Sequence, residues 1–319
     1  MSYIIQEEAN MQSRVSKLLY RSLKNIIQPY NSTTDYPRVR QDLETLARLQ
    51  NISLKVELTC IPLDNCTMEM VRVPKAPKEK IIMYVHGGGF TTGGIVTSRK
   101  FITEFCLRAG INAVSCDYRL APEHAYPAPL DDCIAMYNKL LDMGYHSKDI
   151  ALLGESAGGT LILALTLYLK DKDMPLPACV CPMCPVGDMT GTLDSRERNI
   201  KVEALLRYDI DEKIRNDYVG DYDVCDPYIS PIYGNFKCFP PLMLQLGEYE
   251  ILYDDSMLLY EIAKKNEVEV ILSVWNKMWH GFQILWGMPE AKMAHKELIA
   301  FIKKHLGYDE LSDYRKIYE

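Results

Sequence analysis

The chain of 319 residues is 48% hydrophobic and 25% charged, a balance that supports one globular domain with a large core and excludes a disordered or low-complexity chain. Its net charge of −7 comes without a lysine and arginine cluster. That excludes nucleic acid and an anionic membrane surface as partners and points to a small molecule. The start, MSYIIQEEANMQSR, puts two glutamates where a secretory leader needs a basic start and an apolar run. The longest apolar stretch, 161–169, is far below the ~20 residues of a spanning helix. A soluble, cytoplasmic protein is expected.

In chain order, residues 1–50 are polar and read as helical, with Val15, Leu18, Leu19 and Leu23 at helical spacing. From about residue 55 short apolar β-type runs alternate with helical patterns. Strands are predicted at 81–85, 113–117, 150–153, 178–183, 242–246 and 268–275, and helices at 98–108, 129–143, 157–170, 254–265 and 290–304. Such alternation is the signature of an α/β fold with a mostly parallel central sheet and helices on both faces. Residues 189–225 interrupt it, being charged with a helix-like stretch near 201–218. The expected organisation is an N-terminal helical cap segment over 1–50 and a catalytic domain over 51–319. The interruption at about 189–225 is a cap insertion that packs with the N-terminal segment as a lid.

The ten cysteines are scattered, which suits a reducing compartment and a role as small buried apolar residues. Cys179, Cys181 and Cys184 lie on one strand-like segment, are expected to point to alternating faces, and have no second Cys/His pair nearby. No metal site is expected.

Two glycine-rich stretches carry the chemistry. In Gly154-Glu155-Ser156-Ala157-Gly158, a strand is followed by a sharp turn and a helix. This is the G-x-S-x-G arrangement, whose small neighbours permit a strained turn that exposes a serine oxygen. A serine needs a base, an acid to orient that base, and donors for the oxyanion formed at a carbonyl. The glycines of Tyr84-Val85-His86-Gly87-Gly88-Gly89-Phe90 let backbone N–H groups turn toward such a charge. No lysine follows at phosphate-loop spacing.

The ordered set HGGG at 86–89, DYRLAPEHAYPAPLDD at 117–132, GESAGG at 154–159 and HGF at 280–282 resembles the hormone-sensitive-lipase branch of α/β-hydrolase carboxylesterases, over roughly residues 70–305. The resemblance implies an α/β-hydrolase sheet with a small helical cap and hydrolysis of short-chain, acetyl-type esters without a metal or organic cofactor. It assigns Ser156 as nucleophile, His280 as base, and the N–H groups of Gly88, Gly89 and Ala157 as the oxyanion hole. His86 and His124 are implied to support the scaffold, and Asp117, Arg119 and Glu123 to form ion pairs near the site. His146, His295 and His305 read as surface residues. The acid is Glu250, where relatives carry aspartate, or Asp254 four residues on; Asp255 and Glu248 are weaker candidates. A residue opening a helix is more often its cap, which favours Glu250. The aromatics Phe90, Tyr126, Trp279, Phe282 and Trp286 are expected near an apolar pocket, with Phe90 and Phe282 touching substrate. The motifs leave open an amidase or deacetylase with the same triad and a non-catalytic small-ligand-binding protein. A homodimer is compatible with this reading.

Overall fold

The computed structural model describes residues 2–5, 12–26, 34–285 and 287–308. Apolar runs bounded by turn residues form strands buried on both faces: β4 (Ile81–Val85), β5 (Asn112–Cys116), β6 (Ile150–Glu155), β7 (Cys179–Met183) and β8 (Leu242–Gly247). β9 (Val270–Trp275) follows. Three strands were not expected: β1 (Ser2–Ile5), β2 (Glu57–Pro62) and β3 (Thr67–Arg72). The nine strands of the described residues form one sheet in the order β1-β9-β8-β7-β6-β4-β5-β3-β2. β3 pairs antiparallel with β2 and β5, and the other pairings are parallel.

β1 corrects the all-helical expectation for residues 1–50. Four residues are too few to show a period, and the segment becomes a strand by pairing in parallel with the edge of β9. Two helices follow, α1 (Arg14–Ile26) and α2 (Tyr36–Arg48). The remainder are α3 (Ile95–Ala109), α4 (Ala128–Asp142), α5 (Ala157–Asp171), α6 (Ser195–Arg198), α7 (Tyr208–Val219), α8 (Tyr253–Lys265) and α9 (Pro289–His305). The period-2 alternation of β4 sorts them onto two faces. Ile81, Met83 and Val85 join the core with α4, α5 and α8, whereas Ile82 and Tyr84 join the core with α3 and α9.

Several single-residue expectations are corrected. Val15 and Leu18 of α1 are exposed; only Leu19 and Leu23 pack inward, against the cluster around Trp279. Cys179, Cys181 and Cys184 share one core cluster instead of alternating faces: the first two lie two apart on β7 and point the same way, and Cys184 lies past the strand end with φ 43°. All ten cysteines are free, and Cys60, Cys225 and Cys238 are exposed. His295 is buried, with Nε2 at 2.7 Å from the Gln283 carbonyl, and burial lowers its pKa to about 4. His305 is largely covered as well, beside Glu269. His124 is exposed instead of packed in the scaffold.

Contacts join the N-terminal helices to residues 189–225. Tyr20 Oη donates to the Val202 carbonyl at 2.8 Å, Tyr36 Oη bonds Asp217, and Lys213 lies over the Tyr36 ring at 4.9 Å. Residues 189–225 are anchored in turn by fully buried Arg196, which bonds Asp255 of α8 at 2.8 Å and Asp211 of α7 at 3.2 Å. No helix of the described residues is long and apolar enough to cross a membrane.

Candidate active site

The residues singled out by motif converge at the C-terminal ends of β4, β6, β8 and β9, where open α/β sheets carry their sites. Ser156 stands between β6 and α5 with φ 53° and ψ −123°, in a region that L side chains enter only when the surroundings enforce it. The enforcement is steric. A Cβ on Gly158 would lie 2.0 Å from the Val85 carbonyl oxygen, and one on Gly154 would lie 2.5 Å from that of Gly158. The two glycines let the first turn of α5 press onto the strand ends, and the Ser156 N–H donates to the Met183 carbonyl at 2.8 Å.

His280 lies on the loop after β9, and Gly281 behind it takes a left-handed φ of 66°. Its Nε2 is 2.9 Å from Ser156 Oγ, and its Nδ1 is 3.1 Å from Glu250 Oε2. Glu250, on the β8–α8 loop, is fully buried. Its other oxygen accepts the Gly247 N–H at 2.5 Å, which fixes the carboxylate plane. Burial opposes a charge on His280, but the Cys184 thiol and the Glu250 carboxylate favour one, and the balance lies well above the usual histidine range.

The competing acids are elsewhere. Asp254 pairs with Arg198 at 2.6 Å and accepts the Ser195 N–H at 2.8 Å. Asp255 is committed to Arg196 and to the N–H groups of Gly187 and Asp188, both at 2.9 Å. Glu248 accepts the Lys277 N–H.

The glycine loop has Gly88 at φ 109° and Gly89 at φ 61°, and it is closed by the Thr91 and Thr92 N–H groups donating to the Gly88 carbonyl. The N–H groups of Gly88, Gly89 and Ala157 have no acceptor among the described residues. Gly87 N–H, by contrast, is bonded at 2.7 Å to Oε1 of Glu155, whose Oε2 accepts Tyr84 Oη at 2.5 Å. Burial, offset in part by these bonds, raises the Glu155 pKa to about 7. His86 stacks on Tyr118 with ring centroids 4.1 Å apart, and burial lowers its pKa to about 4. Asp117 accepts the Ile95 N–H at 2.5 Å, Arg119 pairs with Asp132, and Glu123 pairs with Arg40.

The aromatics expected near the pocket pack against other rings. Phe90 is fully buried with its face on Tyr218 at 3.7 Å, and Phe282 is fully buried beside Trp275 at 5.7 Å. Both rings lie in core clusters. Tyr126 packs edge-on against Tyr218 and Tyr222, and Trp279 against Tyr20. Trp286 lies outside the described residues.

Two groups at the site were not assigned to it from sequence. Glu203, in the insertion, is buried and accepts the N–H groups of Ala204 at 2.7 Å, Leu205 at 2.9 Å and His280 at 3.2 Å. Burial is the main cause that raises its pKa to about 7. Cys184, just past β7, puts its thiol against the His280 imidazole. Its position at a strand's C-terminal end was the one available hint.

With this geometry in place, four likenesses bear on the chain. A family model described as alpha/beta hydrolase fold matches residues 82–284. An esterase of Acinetobacter venetianus is 34% identical over 266 residues, 82% of this chain and 87% of that protein. An acetyl-hydrolase of Streptomyces hygroscopicus is 30% identical over 77% of this chain and 83% of its own. The crystal structure of an esterase from the bacterial hormone-sensitive lipase family matches with a TM-score of 0.86 at 30% identity, covering 93% of this chain and 100% of that one. The chain belongs to the α/β-hydrolase fold family, in its hormone-sensitive-lipase-like branch, and is a carboxylic ester hydrolase.

Proposed function

We propose that the chain is a serine carboxylesterase that hydrolyses short-chain, acetyl-type esters through an acyl-enzyme on Ser156. The observation that carries this reading is the continuous line of bonds from Ser156 Oγ through His280 to Glu250, at 2.9 Å and 3.1 Å. In the first step Ser156 Oγ bonds to the ester carbonyl carbon while its proton passes to His280 Nε2. The Glu250 carboxylate accepts the Nδ1–H bond and stabilises the imidazolium. The negative charge gathers on the carbonyl oxygen, held by the N–H groups of Gly88, Gly89 and Ala157. Collapse breaks the bond to the alcohol oxygen, which leaves with the proton from Nε2. Water, deprotonated by the same nitrogen, then attacks the acyl carbon, and the bond to Ser156 Oγ breaks as Nε2 returns the proton to Oγ, freeing the acid.

The preference for small acyl groups rests on what covers the glycine loop. Ile214 of α7 lies where a Cβ on Gly89 would reach, at 2.5 Å, and Tyr218 is stacked on Phe90. In this reading α1, α2 and residues 189–225 form the cap, and α7 closes the acyl side. The name of the Streptomyces relative, an acetyl-hydrolase, agrees with it. A fluorophosphonate probe with peptide mapping tests the nucleophile, and p-nitrophenyl esters from acetate to decanoate test the pocket. Labelling on Ser156 with turnover highest for the shorter acids is expected. Folded protein that takes no label would be a ligand-binding relative, and highest turnover on decanoate would overturn the assignment of the acyl side.

A further inference from the structure

We propose that Cys184, His280 and Glu250 form a site for a soft divalent cation, of the zinc and cadmium class, and that filling it switches the hydrolase off. The second half rests on the reading of His280 as the base. A sulfur, a ring nitrogen and a carboxylate oxygen from these residues all lie within 4.8 Å of one another, and the three residues are buried. Zinc bond lengths of about 2.0 to 2.3 Å put tetrahedral donors about 3.3 to 3.8 Å apart. Nδ1 and Oε2 are already 3.1 Å apart, close to that spacing. The donor set of one thiolate, one imidazole and one carboxylate matches soft and borderline cations and discriminates against magnesium and calcium.

The backbone holds the thiol in place. Cys184 takes φ 43°, and its N–H donates to the Gln245 carbonyl at 2.8 Å, so Sγ is set between β7, the Glu250 loop and the imidazole. His280 offers Nδ1 to the ion because Nε2 faces Ser156.

The proton balance explains the loss of activity. In the metal-free form that acts as base, the thiol keeps its proton and the imidazole, having given up any second proton to solvent, carries its single proton on Nδ1, leaving Nε2 free to accept. On binding, the thiol releases its proton to solvent, sulfur and Nδ1 each donate a pair to the cation, and the imidazole proton moves to Nε2. Nothing is oxidised or reduced. An Nε2–H cannot take the serine proton, and Glu250 bonds the ion instead of orienting the ring.

The test uses full-length protein in which the exposed Cys60, Cys225 and Cys238 are replaced by serine, titrated with cadmium chloride. One equivalent is expected to raise an ultraviolet thiolate-to-cadmium charge-transfer band while ester turnover falls in parallel, with both reversed by chelator. Magnesium chloride should do neither. Cys184→Ser and Cys184→Ala should lose the band, with inhibition read against each variant's own metal-free turnover. Loss of a direct ligand exceeds the about 10- to 100-fold affinity cost of losing an outer partner, so the inhibiting concentration should rise at least as far. A band that persists in both variants, or an unchanged inhibiting concentration, overturns the proposal. Because the band is read without substrate, a cadmium-dependent band in a protein with no metal-free turnover would uphold the cation site and refute the catalytic reading.

Discussion

Replacing Glu250 by glutamine and, separately, Asp254 by asparagine decides which carboxylate serves the imidazole. The two changes remove the same charge from positions four residues apart, but the structure gives them unequal consequences. Glu250 accepts two bonds with its two oxygens, from His280 Nδ1 at 3.1 Å and from Gly247 N–H at 2.5 Å. A carboxamide has one acceptor oxygen, so its NH₂ must face one of these donors. The imidazolium formed during attack also loses its counter-charge. Unit charges at the 3.1 Å separation attract by about 5 kcal/mol at an effective dielectric of about 20. At about 1.4 kcal/mol per decade of rate, Glu250→Gln should lower kcat by roughly 10³- to 10⁴-fold. KM should stay close to wild type, since the bond acts in the transition state. Asp254 spends its charge on the half-exposed Arg198, a pair worth about 0.2 to 1 kcal/mol of stability. Asp254→Asn should therefore leave kcat within about twofold. Steady-state hydrolysis of p-nitrophenyl acetate reads both. A larger kcat loss in Asp254→Asn, or retention of more than about a tenth of kcat in Glu250→Gln, would refute the reasoning.

Glu203 predicts a pH dependence of stability. Burial raises its pKa from 4.5 to about 7, so the unfolded chain gives up this proton first as pH rises. The stability tied to the carboxyl is therefore full below 4.5 and is lost as pH climbs through about 7, a change of up to about 3 kcal/mol. Glu203→Gln cannot titrate, and its urea-unfolding free energy should be flatter across that window; an unchanged slope would sink the assignment. For packing, Gly158→Ala drives a Cβ to 2.0 Å from a backbone oxygen, whereas a Cβ on Gly220 meets nothing within 4 Å. The first should cost about 3 kcal/mol or more and the second about 1 kcal/mol for its left-handed φ, as compared by thermal unfolding. Equal melting of the two variants would show that α5 can retreat from β4.

The parts of this molecule that were legible in the sequence are those whose physical requirement is local. The turn at Ser156 needs small residues at 154 and 158 whatever surrounds it, and the strands from β4 to β9 are mostly apolar because helices cover both faces. β2 and β3 were missed because one lies at the sheet edge and is largely exposed, and the two carry Glu57, Pro62, Glu69 and Arg72 among their apolar residues. His295 was assigned to the surface from its polar neighbours, yet it lies on the inward stripe of α9 with Ala291, Ala294 and Leu298. The acid was ambiguous for a related reason. Four carboxyls lie between residues 248 and 255, and the turn that lifts Glu250 toward His280 is set by the Gly247 bond and the packing of the β9 loop. Glu203 was illegible because its three donors belong to two segments that only the folded chain brings together.

The buried carboxyls of the site share one device. Glu155 ties the residue before the serine to Gly87 of the glycine loop, Glu250 ties its own turn to the imidazole, and Glu203 ties the insertion to the His280 backbone. Every one of them accepts a backbone N–H from a loop. Loop amides have no ladder partner and must find an acceptor when buried, and a carboxylate offers two oxygens to donors on different segments. Apolar packing could hold these loops close, but it is non-directional and would leave the 2.9 Å approach of Ser156 to His280 free to drift. Directional bonds to the backbone fix where each loop points. The desolvation of three carboxyls is the energetic cost of that precision, and it is expressed in the pKa of about 7 at Glu155 and at Glu203. In the proposed reading of residues 189–225 as part of the cap, Glu203 gives that segment a hold on the His280 backbone, so changes there should be felt in turnover as well as in acyl preference.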